Sequence, residues 1–158
     1  MKWLADRMPA DTATPCIIHN DYKFDNVVLN PENPLEIIGI LDWEMATLGD
    51  PLMDLGNSLA YWVEKDDPPA VQMIRMIATN VEGMLTRNEQ VKLYGEIMGK
   101  KIDNFDFYFC FGVFRLAVIA QQIYYRFFHG QTKDERFKML IGAVKILETV
   151  AKQVIQQS

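Results

Sequence analysis

Three short apolar runs near the start of the chain limit its fold more than any other feature. Cys16-Ile17-Ile18, Val27-Val28-Leu29 and Ile37-Ile38-Gly39-Ile40-Leu41 are bounded by polar, turn-forming segments. Their length and β-branched content read as buried strands. Asn30-Pro31-Glu32-Asn33-Pro34 is the turn between the second and third. Strands so few and short cannot build a doubly wound sheet. Beyond them the chain reads as helix, over 52–64, 70–85, 88–99, 105–128 and 134–156, with another helix ending within residues 1–8. Leu48-Gly49-Asp50-Pro51 reads as a turn, with Asp50 capping the first long helix and Pro51 at its first position. The expected fold is an α+β, mostly α domain whose polar loops gather at one end.

Composition narrows the class. The 158 residues suffice for one domain with a sizeable core, and 49% are hydrophobic, which excludes a disordered tail. Sixteen Lys and Arg against 21 Asp and Glu leave a net charge of −5. Nucleic-acid binding needs a basic face, so no nucleic-acid partner is expected. Cys16 and Cys110 lie far apart in apolar runs and read as buried free thiols. The N-terminus has no apolar signal-peptide core. The longest apolar stretch is interrupted by Asp106, Gly112 and Arg115, too broken for a membrane span. A soluble cytoplasmic domain without a membrane partner is the expectation.

Chemistry concentrates between the strands. His19-Asn20-Asp21-Tyr22-Lys23-Phe24-Asp25-Asn26 follows the first run, and Leu41-Asp42-Trp43-Glu44 closes the third. Phosphoryl transfer from ATP needs a carboxylate to orient and deprotonate the attacking hydroxyl, oxygen ligands for Mg²⁺, and a cation for the spreading negative charge. Asp21, Asn26 and Asp42 supply the oxygens, and Lys23 supplies the cation. Trp43, Tyr61, Trp62 and the run Tyr108, Phe109, Phe111, Phe114 read as core.

His-x-Asp-x-x-x-x-Asn followed by a further Asp is the catalytic-loop pattern of the protein-kinase fold. With Leu41-Asp42-Trp43-Glu44 and Gly49-Asp50-Pro51-Leu52-Met53-Asp54-Leu55, the chain resembles the aminoglycoside phosphotransferase and choline kinase family. It is most similar to the phosphotransferase domains found beside acyl-CoA dehydrogenases. The resemblance implies that Asp21 is the catalytic base, that Lys23 meets the γ-phosphate, and that Asn26 and Asp42 hold Mg²⁺ on ATP. It makes His19 and Asp54 bracing residues and Glu44 a neighbour of the metal. Asn20 stands where the family usually has glycine, a residue type that tolerates unusual backbone angles.

In this family ATP binds between two lobes. Residues 1–18, which precede His19, hold no glycine from which to build a phosphate-covering loop. The expectation is therefore a single domain over residues 1–158, a C-terminal lobe without its N-terminal nucleotide-binding partner. The resemblance implies an ATP-dependent kinase acting on a small-molecule hydroxyl, with a hydroxyacyl-CoA ahead of an aminoglycoside or choline. Arg115 and Arg126, among aromatics, favour an anionic or apolar acceptor. The rival class is a non-catalytic kinase-like binding or dimerisation module, associating through the exposed inter-lobe face.

Overall fold

The computed structural model describes residues 1–12 and 14–158. Helix α1 (Lys2–Asp6) leads to strands β1 (Cys16–Ile18), β2 (Val27–Leu29), β3 (Ile37–Ile40) and β4 (Thr47–Gly49). Five helices follow: α2 (Pro51–Ala60), α3 (Pro69–Met73), α4 (Arg87–Met98), α5 (Asp106–Phe128) and α6 (Leu140–Gln157). The mostly helical α+β architecture is as expected, with one more strand. The segment read as a turn at Leu48-Gly49 is β4, antiparallel to β1 in the register Cys16↔Gly49, Ile17↔Leu48, Ile18↔Thr47.

The two strand pairs are nested. β2 and β3 form an antiparallel hairpin, Val27↔Ile40 and Val28↔Gly39, with an irregularity between Val28 and Leu29. The hairpin lies, in sequence, wholly between β1 and β4. Register then determines where the polar segments fall. Ile18 pairs with Thr47 and Val27 with Ile40, so the connections 19–26 and 41–46 both bridge the same two ladders. A backbone bond from Leu41 N–H to the Asn26 carbonyl, 2.8 Å, ties the two connections together.

The strands are not buried as their composition predicts. Ile17 is 68% exposed and Leu35, at the hairpin turn, 95%, with Ile37, Ile38, Leu41 and Leu48 also open to solvent. Cys16 shares this exposure, and only Cys110 is a buried thiol. A short apolar run reads as buried on both faces, yet no residue of β2 or β3 is buried and β1 buries only Ile18.

The core belongs to the helices. α5 packs against α2 and α6, and Leu59, Val113 and Cys110 are among the most buried side chains. α2 and α5 cross at Gly56 and Gly112, where a Cβ on either glycine would collide with backbone of the other helix. By length and composition α5 is apolar enough to cross a membrane, contrary to the expectation from its interruptions. Its apolar surface here is packing surface for α2 and α6.

The helix read over 70–85 stops at Met73. Beyond it, Thr79 is 1% exposed, and its hydroxyl accepts from the Val63 N–H at 3.0 Å and donates to the Val63 carbonyl at 2.9 Å. The final helix likewise starts late. Glu135–Met139 is a tighter 3-10 turn capped by Asp134, and α6 proper begins at Leu140.

Candidate active site

Asp54, in the first turn of α2, builds the loop. Its two carboxylate oxygens accept the backbone N–H groups of His19 and Asn20, each at 2.7 Å. His19 is 3% exposed and works from both ring nitrogens. Nδ1 accepts the Asp21 N–H at 3.2 Å, which leaves Nε2 protonated to donate to the Leu41 carbonyl at 2.7 Å. The Trp43 ring packs on the imidazole at 4.7 Å between centroids. One histidine therefore holds the residue carrying the first carboxylate and the residue preceding the second.

Asp21 is the hub. Its Oδ2 accepts from Lys23 Nζ at 2.7 Å and from Asn26 Nδ2 at 3.1 Å, and its Oδ1 accepts from the Tyr61 hydroxyl at 3.0 Å. Asn26 Nδ2 also reaches the Asp21 carbonyl at 2.8 Å. Lys23 Nζ stands 4.9 Å from the Tyr61 ring centroid. Burial first, then the facing Asp21 carboxylate, hold the Tyr61 phenol well above an ordinary tyrosine. It stays protonated and remains a donor to Asp21.

Asp21, Lys23 and Asn26 are thus in direct mutual contact. Asp42 is brought to the same place by backbone, through the His19 and Asn26 bonds to Leu41. It adopts a left-handed conformation (φ 66°) and starts the short 3-10 turn Trp43–Met45. Asn20 is left-handed as well, also at φ 66°. Glu44 is exposed and makes no side-chain bond among the described residues. Asp50 caps α2 by accepting the Leu52 N–H at 2.8 Å and also accepts from the Tyr108 hydroxyl at 3.1 Å.

The donor set suits a hard cation. Asn26 turns its Nδ2 to Asp21, which leaves Oδ1 with no protein donor among the described residues. With the Asp42 carboxylate across the ladder gap, that is one amide oxygen and one carboxylate. Magnesium takes such sparse sets, filling its octahedron with water and phosphate. No cluster of three or more His, Cys, Asp or Glu side chains occurs among the described residues.

Sequence reasoning assigned Tyr61 to the core and passed over Asn57, yet both touch the loop. Asp54, Asn57 and Tyr61 are spaced i, i+3, i+7 and share one face of α2, from its first turn to its C-cap. Asp54 binds His19 and Asn20, Asn57 Nδ2 binds Asn20 Oδ1 at 3.0 Å, and Tyr61 binds Asp21. This polar stripe on an otherwise apolar helix was the available signal. Arg115 of α5 stands beside Tyr61, donates to the Met45 sulfur at 3.3 Å, and has no carboxylate partner among the described residues. Arg126 lies eleven residues further along α5, about three turns away, with exposed Tyr125 and Gln131.

The nested ladders, the helical body and a braced Asp–Lys–Asn–Asp constellation define a kinase-like phosphotransferase fold. The model of the phosphotransferase enzyme family matches residues 1–82, just over half the chain, and the chain belongs to that family. It is similar to acyl-CoA dehydrogenase family member 10 of Mus musculus, 36% identical over 136 residues, which cover 85% of this chain and 12% of that protein. Acyl-CoA dehydrogenase family member 11 of Homo sapiens is 29% identical over 161 residues, covering 99% of this chain and 20% of that protein. The chain therefore spans about an eighth to a fifth of the length of these relatives. A crystal structure of a Ralstonia eutropha protein assigned as an aminoglycoside phosphotransferase superposes with a TM-score of 0.81 at 26% identity, over 99% of this chain and 47% of that one.

Proposed function

We propose that this chain is the catalytic lobe of a protein that transfers the γ-phosphoryl group of ATP to a hydroxyl of a small molecule, with hydroxyacyl-CoA compounds the first acceptors to test. The observation that carries the reading is the Asp21 carboxylate, held on both oxygens by Lys23, Asn26 and Tyr61 and braced against the Asp42 segment through His19. A carboxylate so fixed is suited to orient a hydroxyl and take its proton as the new P–O bond forms and the bond to ADP breaks. The acceptor hydroxyl would compete with the Tyr61 hydroxyl for Oδ1. Lys23, whose ammonium lies against Asp21, would balance charge on the moving phosphoryl group. Asn26 and Asp42 would hold Mg²⁺, which when bound screens the phosphate charge and aligns the β- and γ-phosphates. The nucleotide-binding lobe would cover the exposed strand layer.

The acceptor preference has its own support. A cleft of about 410 Å³ opens beside Tyr22, Lys23 and Phe24, walled by Leu55, Leu59 and Trp62. Its only charged lining residues are Lys23 and Asp54, and Asp54 is committed to the loop amides. A polycation would need several free carboxylates there, whereas an apolar acyl portion fits the walls. The names of the acyl-CoA dehydrogenase relatives point the same way.

The test is ADP release by the full-length protein with Mg²⁺, ATP and, in separate assays, hydroxyacyl-CoAs, kanamycin and choline. Turnover with a hydroxyacyl-CoA that disappears in Asp21→Asn is expected. Ready phosphorylation of kanamycin or choline with hydroxyacyl-CoAs ignored would sink the acceptor assignment, and no turnover with any of them would sink the enzymatic one.

A further inference from the structure

The most informative side chain outside the motif roles is Asn20, because it does what the family's usual glycine cannot. Glycine would satisfy the left-handed backbone at φ 66° on its own. Asn20 adds two side-chain bonds. Its Nδ2 donates to the Met45 carbonyl at 2.9 Å, and its Oδ1 accepts from Asn57 Nδ2 at 3.0 Å. Met45 ends the short turn that Asp42 begins. Asn57 belongs to the α2 face that also binds Asp54's and Tyr61's loop partners. One side chain thus links the Asp21 loop, the Asp42 segment and the helix beneath them.

We propose that Asn20 is a positioning residue whose amide clasps the Asp42–Met45 segment to the catalytic loop and so sets the spacing between Asn26 and Asp42. The inference rests on the reading of those two side chains as the Mg²⁺ ligands. Asn57 supplies an independent argument. It is 1% exposed, and its Oδ1 is buried without a partner among the described residues. A buried, unpaired carbonyl oxygen is unfavourable, and an apolar side chain would serve packing better there. What Asn57 provides in exchange is the donor that orients Asn20. Stability alone does not explain this pair; orientation of the clasp does.

That reasoning separates positioning from structural support. Asn20→Gly keeps the backbone conformation and removes the clasp. Pairing it with Asn57→Leu removes the orphaned amide as well, and removing both partners of this part-buried polar pair together is close to neutral. Three measurements on the 158-residue chain decide the matter. Terbium stands in for magnesium, with Trp43, adjacent to Asp42, as the sensitiser of its emission. Wild type is expected to give saturable emission that magnesium displaces and that Asp42→Asn abolishes. N20G and N20G/N57L should weaken terbium binding about tenfold, the size of effect outer-sphere partners have on metal sites, while the double variant melts at or above the wild-type temperature. Without metal, amide exchange at residues 43–46 should quicken in N20G and stay unchanged in α5 and α6. Unchanged terbium affinity or unchanged exchange in the variants, with wild type binding normally, overturns the role of Asn20 and leaves the metal pair intact. No emission from wild type overturns the metal pair itself, and the positioning role with it.

Discussion

Two side chains carry opposite kinds of weight in the loop. Asp21 carries the proposed chemistry and Asp54 carries the shape. Asp21→Asn in the full-length protein should lower turnover by about a thousandfold or more, the scale expected when a positioned general base is lost, with the circular dichroism spectrum unchanged. Asp54→Ala strips the acceptors from two backbone amides at once. Charge-assisted bonds of this kind contribute about 1.5–3 kcal/mol each, so a loss of about 3 kcal/mol in urea unfolding is expected, and a loss under about 1 kcal/mol would mean water replaces the carboxylate. Tyr108 adds a pH dependence. Burial first, and then the Asp50 carboxylate that accepts its hydroxyl proton, push this phenol up to about 12. An unfolded tyrosine ionises near pH 10. Between those values the native state keeps a proton that the unfolded chain has lost, so stability contributed by Tyr108 is complete below about pH 10 and falls as pH rises towards 12. Tyr108→Phe should flatten the alkaline limb of the melting-temperature profile.

Among the elements, α2 is the organiser. One face packs on α5 and the other bonds His19, Asn20 and Asp21 in turn, so helix position is transmitted directly to the candidate site. The α2–α5 crossing depends on Gly56 and Gly112, where each backbone occupies the space of the other's missing Cβ. Neither neighbour is a flexible side-chain end, so relief requires the helices to separate. Gly112→Ala should cost about 3 kcal/mol, the upper part of the range for overpacking, and should displace Tyr61 from Asp21. Differential scanning calorimetry checks the first, and a loss of turnover larger than the loss of folded protein checks the second. Helix α4 is positioned differently. Its N-terminus is fixed by a Thr86–Glu89 capping box and by Arg87, which pairs with Asp67 at 2.6 Å and donates to the Trp62 carbonyl at 2.8 Å. Trp62 in turn donates to the Leu85 carbonyl at 3.0 Å. The end of α4 nearest the cleft is therefore held by polar bonds, and Gln90 and Tyr94 form its far wall.

At the scale of the whole molecule, the strand layer is the unfinished part. Ile17, Leu35, Ile37, Ile38, Leu41 and Leu48 are large apolar side chains exposed on the two strand pairs and their connections. Surfaces of this kind promote association or await a covering domain. The 158-residue chain should bind an apolar dye such as anilinonaphthalene sulfonate in its native state and should gain little or no thermal stability from ATP beyond what Mg²⁺ alone gives. The full-length protein should reverse both. Stabilisation grows with ligand concentration relative to the dissociation constant, so a large shift in the short chain would show that these residues hold nucleotide unaided and that no covering lobe is needed for binding.

Local patterns in the amino-acid sequence determined three of the four strands, the spans of α4 and α5 and the Asp50 cap, because turn residues, apolar periodicity and motif spacing act over a few residues. Exposure of those strands was not legible, since a run of Ile and Val looks alike whether its partner surface is present or missing. Nor was the path of the chain beyond α3, where the Thr79 hydroxyl binds the backbone of Val63 sixteen residues away. Asp21, Lys23 and Asn26 are neighbours in sequence, so their meeting was foreseeable. The approach of Asp42 needed the nested register of two ladders, and the bonds of Asn57 and Tyr61 needed α2 to lie under the loop. What the tertiary structure alone decided was the setting of each reactive group. Hydrogen bonds reach about 3 Å, and only the folded chain specifies which distant side chains come that close.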